Sequence, residues 1–406
     1  MMSPALAVLL LLSQASDLPG DGMKALETGQ YDAAAQAFQK AVAADPSDYS
    51  AHFNLALAYG MLARDEEGIA EYRKTLELKP DLYEAELNCG ILLLRHKDAA
   101  SAAAMLDAAA AQKPGEFRPR FYLAEAEAQS GKLDRAQADY RRALELDPKS
   151  AAAESGLGRA LARDGKPAEA APHYRQAATL DPKYRNLLLE LAGAFEAAHQ
   201  NAEAAAIYRD FGADPVAQAH LGQLLLDGKQ YAEAVPVLET AYAREPSTAN
   251  AVALAMAYTF SEQSTKAVPL LQKAVAAEPA NFDLRMMFGR TLRDLRQFPP
   301  AAAQFAEAGK LKPTAIDAWN ELGGVLYMAG DFPHALAAFD QARQLGENTA
   351  GLAFMRAITL DKLRQLKPAL EAYEQFLAQS NGKHPDQEFQ ARQRARIIRH
   401  QLEEHR

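Results

Sequence analysis

The sequence predicts an all-α fold of stacked antiparallel helix hairpins. Three observations carry that prediction. Alanine is heavily used and β-branched residues are sparse over 406 residues, a bias that favours helix. Prolines stand at Pro46, Pro80, Pro114, Pro148 and Pro182, each 34 positions after the last. Trp319, Leu322, Gly323 and Leu326 fall at i, i+3, i+4 and i+7, one apolar helix stripe. Gly323 leaves a gap in that stripe. Small Ala335 and Ala342 on the next segment let the two helices approach while Leu326 and Phe339 fill the remaining space.

The chain begins with an unbroken apolar run, Ala5 to Leu12, followed by the small-x-small triplet Ser13-Gln14-Ala15. That order predicts a secretory leader over residues 1–15, cut near Ala15, and a periplasmic or secreted protein. Met1-Met2-Ser3-Pro4 contains no Lys or Arg. An uncleaved cap or a misassigned start, and a cytoplasmic location, are therefore the alternative.

From residue 16 to about 380 one unit repeats. After Pro182 the proline register slips once, with an out-of-phase Pro215, and resumes at Pro246, Pro279 and Pro313. Proline lacks an N–H and biases the preceding residue away from the α region, so each should end a second helix. Counting back from them finds one small-large-small pattern. The second unit has Leu55, Ala56, Tyr59, Gly68 and Tyr72. The fifth has Leu157, Gly158, Leu161, Ala170, Tyr174 and Ala177. The ninth has Phe288, Gly289, Leu292, Ala301, Phe305 and Ala308. Turns between the helices are marked by Gly29-Gln30, Gly131-Lys132, Gly165-Lys166, Gly228-Lys229 and Gly330-Asp331. The unit at 185–214 is short. Pro172, Pro236 and Pro269 sit near the start of second helices, where a missing N–H should cost little. Residues 381–406 form a last helix with Ala391, Ala395, Ile398 and Leu402 on its apolar side, a cap for the final unit. A basic interaction tail built on its arginines is the alternative.

A helix-turn-helix unit of this length and pattern resembles the tetratricopeptide repeat, with about eleven copies, and Trp319 to Ala342 is the clearest of them. The resemblance implies a right-handed superhelical solenoid whose first helices line a concave groove, and a non-enzymatic scaffold or adaptor that binds a protein or peptide there. The alternative is a periplasmic small-molecule or glycan-binding module.

Composition and motifs narrow the chemistry. A net charge of −9 argues against non-specific nucleic-acid binding, and no stretch approaches the roughly 18 apolar residues needed to span a bilayer. Cys89 is the only cysteine, so an intramolecular disulfide is impossible. The chain carries no phosphate-cradling glycine loop, nucleophile elbow or His-Glu-x-x-His. The nearest miss, His400 to His405, puts its histidines on different helix faces. No catalytic residue, cofactor or metal is expected.

The resemblance places Asn54 and Asn88 in the groove as paired amides for an extended peptide, with Tyr122 at the next equivalent position. Glu84 and Asn88 stand where the family's carboxylate clamp needs Lys and Arg, which excludes the clamp there. Further on, Met256, Phe260, Met286, Met287, Tyr327, Met328, Phe354 and Met355 fall at groove positions. Methionine suits adaptable apolar binding, although packing between neighbouring units would use the same residues. Arg290 and Arg293 flank the methionines, either to meet acidic partner groups or to balance carboxylates such as Asp294.

Overall fold

The computed structural model describes residues 18–404; the leader expected over residues 1–15 lies outside them. The described residues form α-helices joined by turns, with one 3-10 turn and no strand. The chain divides into two compact units, residues 1–207 and 208–406.

The first unit holds α1 (Leu18–Glu27), α2 (Tyr31–Ala44), α3 (Tyr49–Met61), α4 (Asp65–Leu78), α5 (Tyr83–Arg95), α6 (Ala99–Gln112), α7 (Phe117–Gln129), α8 (Leu133–Leu146), α9 (Ala151–Arg163), α10 (Pro167–Leu180) and α11 (Leu187–Ala197). Most of α12 (Asn201–Arg209) also belongs to it. Consecutive helices pair from α1/α2 to α9/α10, and each second helix also packs on the first helix of the next pair. That alternation is a run of stacked hairpins.

The second unit holds α13 (Pro215–Asp227), α14 (Tyr231–Arg244), α15 (Thr248–Phe260), α16 (Ser264–Ala277), α17 (Phe282–Asp294), α18 (Phe298–Leu311), α19 (Ile316–Ala329), α20 (Phe332–Gln344), α21 (Ala350–Lys362), α22 (Leu366–Ser380) and α23 (Pro385–Glu404). Its pairs run from α13/α14 to α21/α22, and α23 packs on α22.

The repeating prolines end the second helices as their chemistry requires. α2 stops at Ala44, and Asp45, immediately before Pro46, is extended at φ −137° and ψ 95°. Lys79 before Pro80 and Asp181 before Pro182 are opened in the same way. Several first helices start on side-chain caps: Asp48 accepts from the Ser50 amide, Ser150 from Ala153 and Asn281 from Leu284.

Three inner prolines depart from expectation. Pro172, Pro236 and Pro269 are each the sixth residue of α10, α14 and α16. They lie past the first four positions whose N–H groups have no helical partner, so each removes one backbone bond from a helix that nevertheless reaches a total length of 14 residues. The slip in proline register is a real shortening. After a 3-10 turn at Pro182–Tyr184, α11 has 11 residues and α12 has 9, against 13 and 14 for α9 and α10.

The glycine gaps are filled by rings and leucines from the partner helix. A Cβ on Gly323 would stand 2.5 Å from Phe339, one on Gly289 2.6 Å from Phe305, one on Gly90 2.5 Å from Leu106 and one on Gly222 2.2 Å from Leu238. Ala335, Phe339 and Ala342 are buried beneath Leu352 in the same cluster. Trp319 reaches back onto Gly309 and donates its indole N–H to the Pro313 carbonyl at 2.9 Å.

Gly29, Gly131, Gly165 and Gly330 take positive φ at their turns, the conformation that suits glycine. The turn at Gly228-Lys229 is built the other way: Gly228 has φ −76°, and Lys229 takes the positive φ, 58°. The last helix buries Ala391, Ala395 and Ile398 against Tyr373 and Phe376. Arg394 holds Asp361 through two bonds of 2.7 Å, and Arg399 holds Glu374 at 2.7 Å.

Candidate functional site

In the second unit a groove is built from the exposed stripes of three first helices. On α17, Asp283, Met287, Arg290 and Asp294 lie at i, i+4, i+7 and i+11, so one face carries all four. The opposite face of α17 buries Leu284, Phe288, Gly289 and Leu292, which fixes the stripe's direction. Together with Met256, Thr259 and Phe260 of α15, Phe282 and Met286 of α17 and Asp317 of α19, that face encloses a depression of about 530 Å³. A second depression of about 350 Å³, lined by Gln223, Val252 and Leu284, shares Met256, Asp283 and Met287 with the first. The two therefore adjoin along those residues.

The floor is apolar and the rim is charged. Met256 and Met287 are half-buried and Met286 is buried, so Met286 supports the floor from below and is not an exposed strip residue as the spacing suggested. Phe260 is 56 % exposed and stacks on Tyr231 with centroids 4.8 Å apart. Arg290 donates to Glu321 at 3.0 Å, and Arg293 bonds both Glu321 and Asp294. Both guanidinium groups are thus balanced by carboxylates of the chain itself. Asp283 and Asp317 are exposed and make no ion pair among the described residues.

The other expected residues are distributed differently. Tyr327 packs edge-on against Phe332 at 5.4 Å, and Met328 is 61 % exposed; neither lines the groove. Phe354 is half-buried against Phe376, with centroids 4.9 Å apart, and Met355 packs on the cluster of Phe339 and Leu352. Phe354 thus packs within the α21/α22 hairpin, and Met355 joins that hairpin to α20. Sequence reasoning missed Asp283, Asp317 and Glu321, although helical spacing from Met287 and Met328 would have found them.

In the first unit Asn54 and Asn88 are 1 % and 0 % exposed, so they do not form an open amide ladder in this structure. Tyr122 is half-buried beside Phe121, and burial raises its phenol pKa. Cys89 is also buried, which pushes its thiol up to about 12. A thiol so protonated is a poor nucleophile at neutral pH.

A separate polar depression of about 350 Å³ lies among α7, α9 and α11. Tyr140 donates to Glu125 there, and burial holds the Glu125 carboxyl above its usual range. Arg159 grips Glu190 through two bonds of 2.9 Å, and Arg163 donates to the Ala128 carbonyl at 2.9 Å. Among the described residues no group of His, Cys, Asp or Glu has the geometry to hold a metal ion, and no helix is long and apolar enough to cross a membrane.

The sequence profile of the tetratricopeptide repeat matches residues 22–83, 87–151, 122–185, 155–218 and 286–350, more than half of the chain. The chain belongs to the tetratricopeptide repeat family. As a tetratricopeptide repeat protein it is, at that level, a protein-interaction scaffold. It is similar to the Hsp70-Hsp90 organizing protein of Triticum aestivum, 31 % identical over 112 residues. That match takes in 28 % of this chain and spans about a fifth, 19 %, of the relative's length. Among solved structures it is similar to MamA from AMB-1, with 23 % identity, 41 % of this chain and 99 % of that one covered, and a TM-score of 0.40. MamA 41-end from Desulfovibrio magneticus RS-1 has 21 % identity, coverage of 41 % and 97 %, and a TM-score of 0.40.

Proposed function

We propose that this tetratricopeptide repeat protein is a non-enzymatic scaffold that holds a protein or peptide partner in the groove of α15, α17 and α19. The observation that carries the proposal is the pair of adjoining depressions that share Met256 and Met287, edged by exposed Phe260. Thioethers adapt to apolar side chains of varied shape, and an amphipathic helix or a hydrophobic segment laid in such a groove buries its anchors there. The ion pairs of Arg290 and Arg293 with Glu321 link α17 to α19 along the groove.

No cofactor, metal or nucleic acid enters this reading. The protein acts outside the cytoplasm, in the periplasm or as a secreted chain, once the Met1–Ala15 leader is removed; retention of that leader would point to the cytoplasm. The printed name of the wheat relative refers to two chaperones, but a chaperone clamp is not carried over, because Glu84 and Asn88 occupy places where it needs cations.

The test is capture of partners from a native extract by the wild-type chain and by a Met256→Ser, Met287→Ser double variant. Both positions are only half-buried, so the helices remain. The reading expects the captured protein to be lost with the variant, and undiminished capture would refute it. A second reading, a small polar ligand or glycan held in the first unit, is favoured by the convergence of Glu125, Tyr140, Tyr174 and Arg163 on one depression. Calorimetric titration with oligosaccharides, repeated on Tyr174→Phe, decides it.

A further inference from the structure

Resting on the groove reading above, we infer that the partner segment is basic as well as apolar: a helix or peptide whose hydrophobic anchor is flanked by Lys or Arg. The arginines beside the methionines suggest the opposite, an acidic partner, until their bonds are traced. Arg290 is committed to Glu321, and Arg293 to Glu321 and Asp294. Around the depression four carboxylates, Asp283, Asp294, Asp317 and Glu321, face two guanidinium groups. The surplus is negative and falls on Asp283 and Asp317.

Their placement matters more than their number. Asp283 stands one helical turn before Met287 on the α17 stripe, and Asp317 lies on α19 across the same depression. An apolar side chain seated on Met256 and Met287 therefore has an exposed carboxylate on either side. A flanking ammonium or guanidinium meets them without displacing an internal ion pair, whereas a flanking carboxylate meets surplus negative charge. Repulsion of the wrong sign is itself a source of specificity, and exposed complementary charges steer encounter in a salt-dependent manner. Lys312, whose ammonium lies over the Phe282 ring at 4.2 Å, adds one positive charge beside the depression, and four carboxylates still outnumber three cations.

The probes are two fluorescent helical peptides with the same leucine stripe, one flanked by lysines and the other by glutamates, titrated into the full chain by anisotropy. The lysine peptide should bind more tightly by about threefold to tenfold, the range given by two exposed ion pairs. That preference should shrink in high salt and disappear in Asp283→Asn, Asp317→Asn, whose exposed positions leave the fold intact. Met256→Ser, Met287→Ser should weaken both peptides. Equal or tighter binding of the glutamate peptide, with both still sensitive to the methionine variant, overturns the inference and leaves the groove reading standing. Binding of both that ignores the methionine variant overturns the two together. If neither peptide binds, the proposed chemistry is wrong, and partner capture alone judges the groove.

Discussion

Gly323 and Gly324 are neighbours on α19 with opposite surroundings, and alanine at each separates packing from helix propensity. A Cβ at Gly323 would stand 2.5, 2.6 and 2.9 Å from three carbons of the Phe339 ring, while one at Gly324 meets nothing within 4 Å. Both substitutions gain about 0.5 to 1 kcal/mol from removing glycine from a helix interior. Only Gly323→Ala overfills the hairpin, at a cost of roughly 1 to 3 kcal/mol. The ring cannot retreat easily, because Phe339 is 2 % exposed and sits between Ala335 and Ala342 at 0 %. Propensity cancels between the variants, so Gly324→Ala should be the more stable by about 1 to 3 kcal/mol. A long repeat array need not unfold in one step. The assay is therefore hydrogen exchange of the amides in α19 and α20, supported by urea titration. Faster exchange confined to Gly323→Ala is expected. Equal protection in the two variants would refute the interlocking of Gly323 with Phe339.

Two further predictions concern the first unit and the turns. Lys229 holds a left-handed φ of 58°, so Lys229→Gly should raise stability by about 1 kcal/mol, read as a later urea midpoint. Glu127 is 6 % exposed, and burial with Asp139 beside it raises its pKa from 4.5 to about 7. An acid raised in the folded state favours folding below its unfolded pKa, and that contribution is lost as pH climbs from 4.5 through about 7. Glu127→Gln should flatten that decline, measured as thermal midpoint against pH, and an unchanged profile would contradict the assignment.

The helix pairs were legible because each is punctuated locally. Proline closes a hairpin after its second helix, glycine opposite a ring locks the two helices of one hairpin, and spacing along the chain exposes both. Spacing also marked the turn at Gly228-Lys229, but which of the two residues takes the left-handed conformation is a choice that only backbone angles reveal. The groove was half legible. Helical period put Met256, Met287 and Arg290 on exposed stripes, but the charge of the site depends on a bond between Arg290 and Glu321, 31 positions apart. Pattern alone leaves that pairing open and makes the arginines look free. Asn54, Asn88 and Met286 failed as open surface for a related reason: repeat position sets the side of the helix, whereas neighbouring elements set the burial. Phe354 and Met355 show the same limit, since apolar residues at equivalent positions serve packing within and between hairpins as readily as binding.

The central claim is that a partner lies on the methionine floor of the second unit. A photo-reactive residue in place of Met287 tests it most directly, with another at Ala303, an exposed position on α18 outside the groove, as the control. Irradiation in the native extract should yield a partner adduct at position 287 that is lost when Met256→Ser is added, and none at 303. An adduct of equal yield at 303, or one at 287 indifferent to Met256→Ser, would contradict the account.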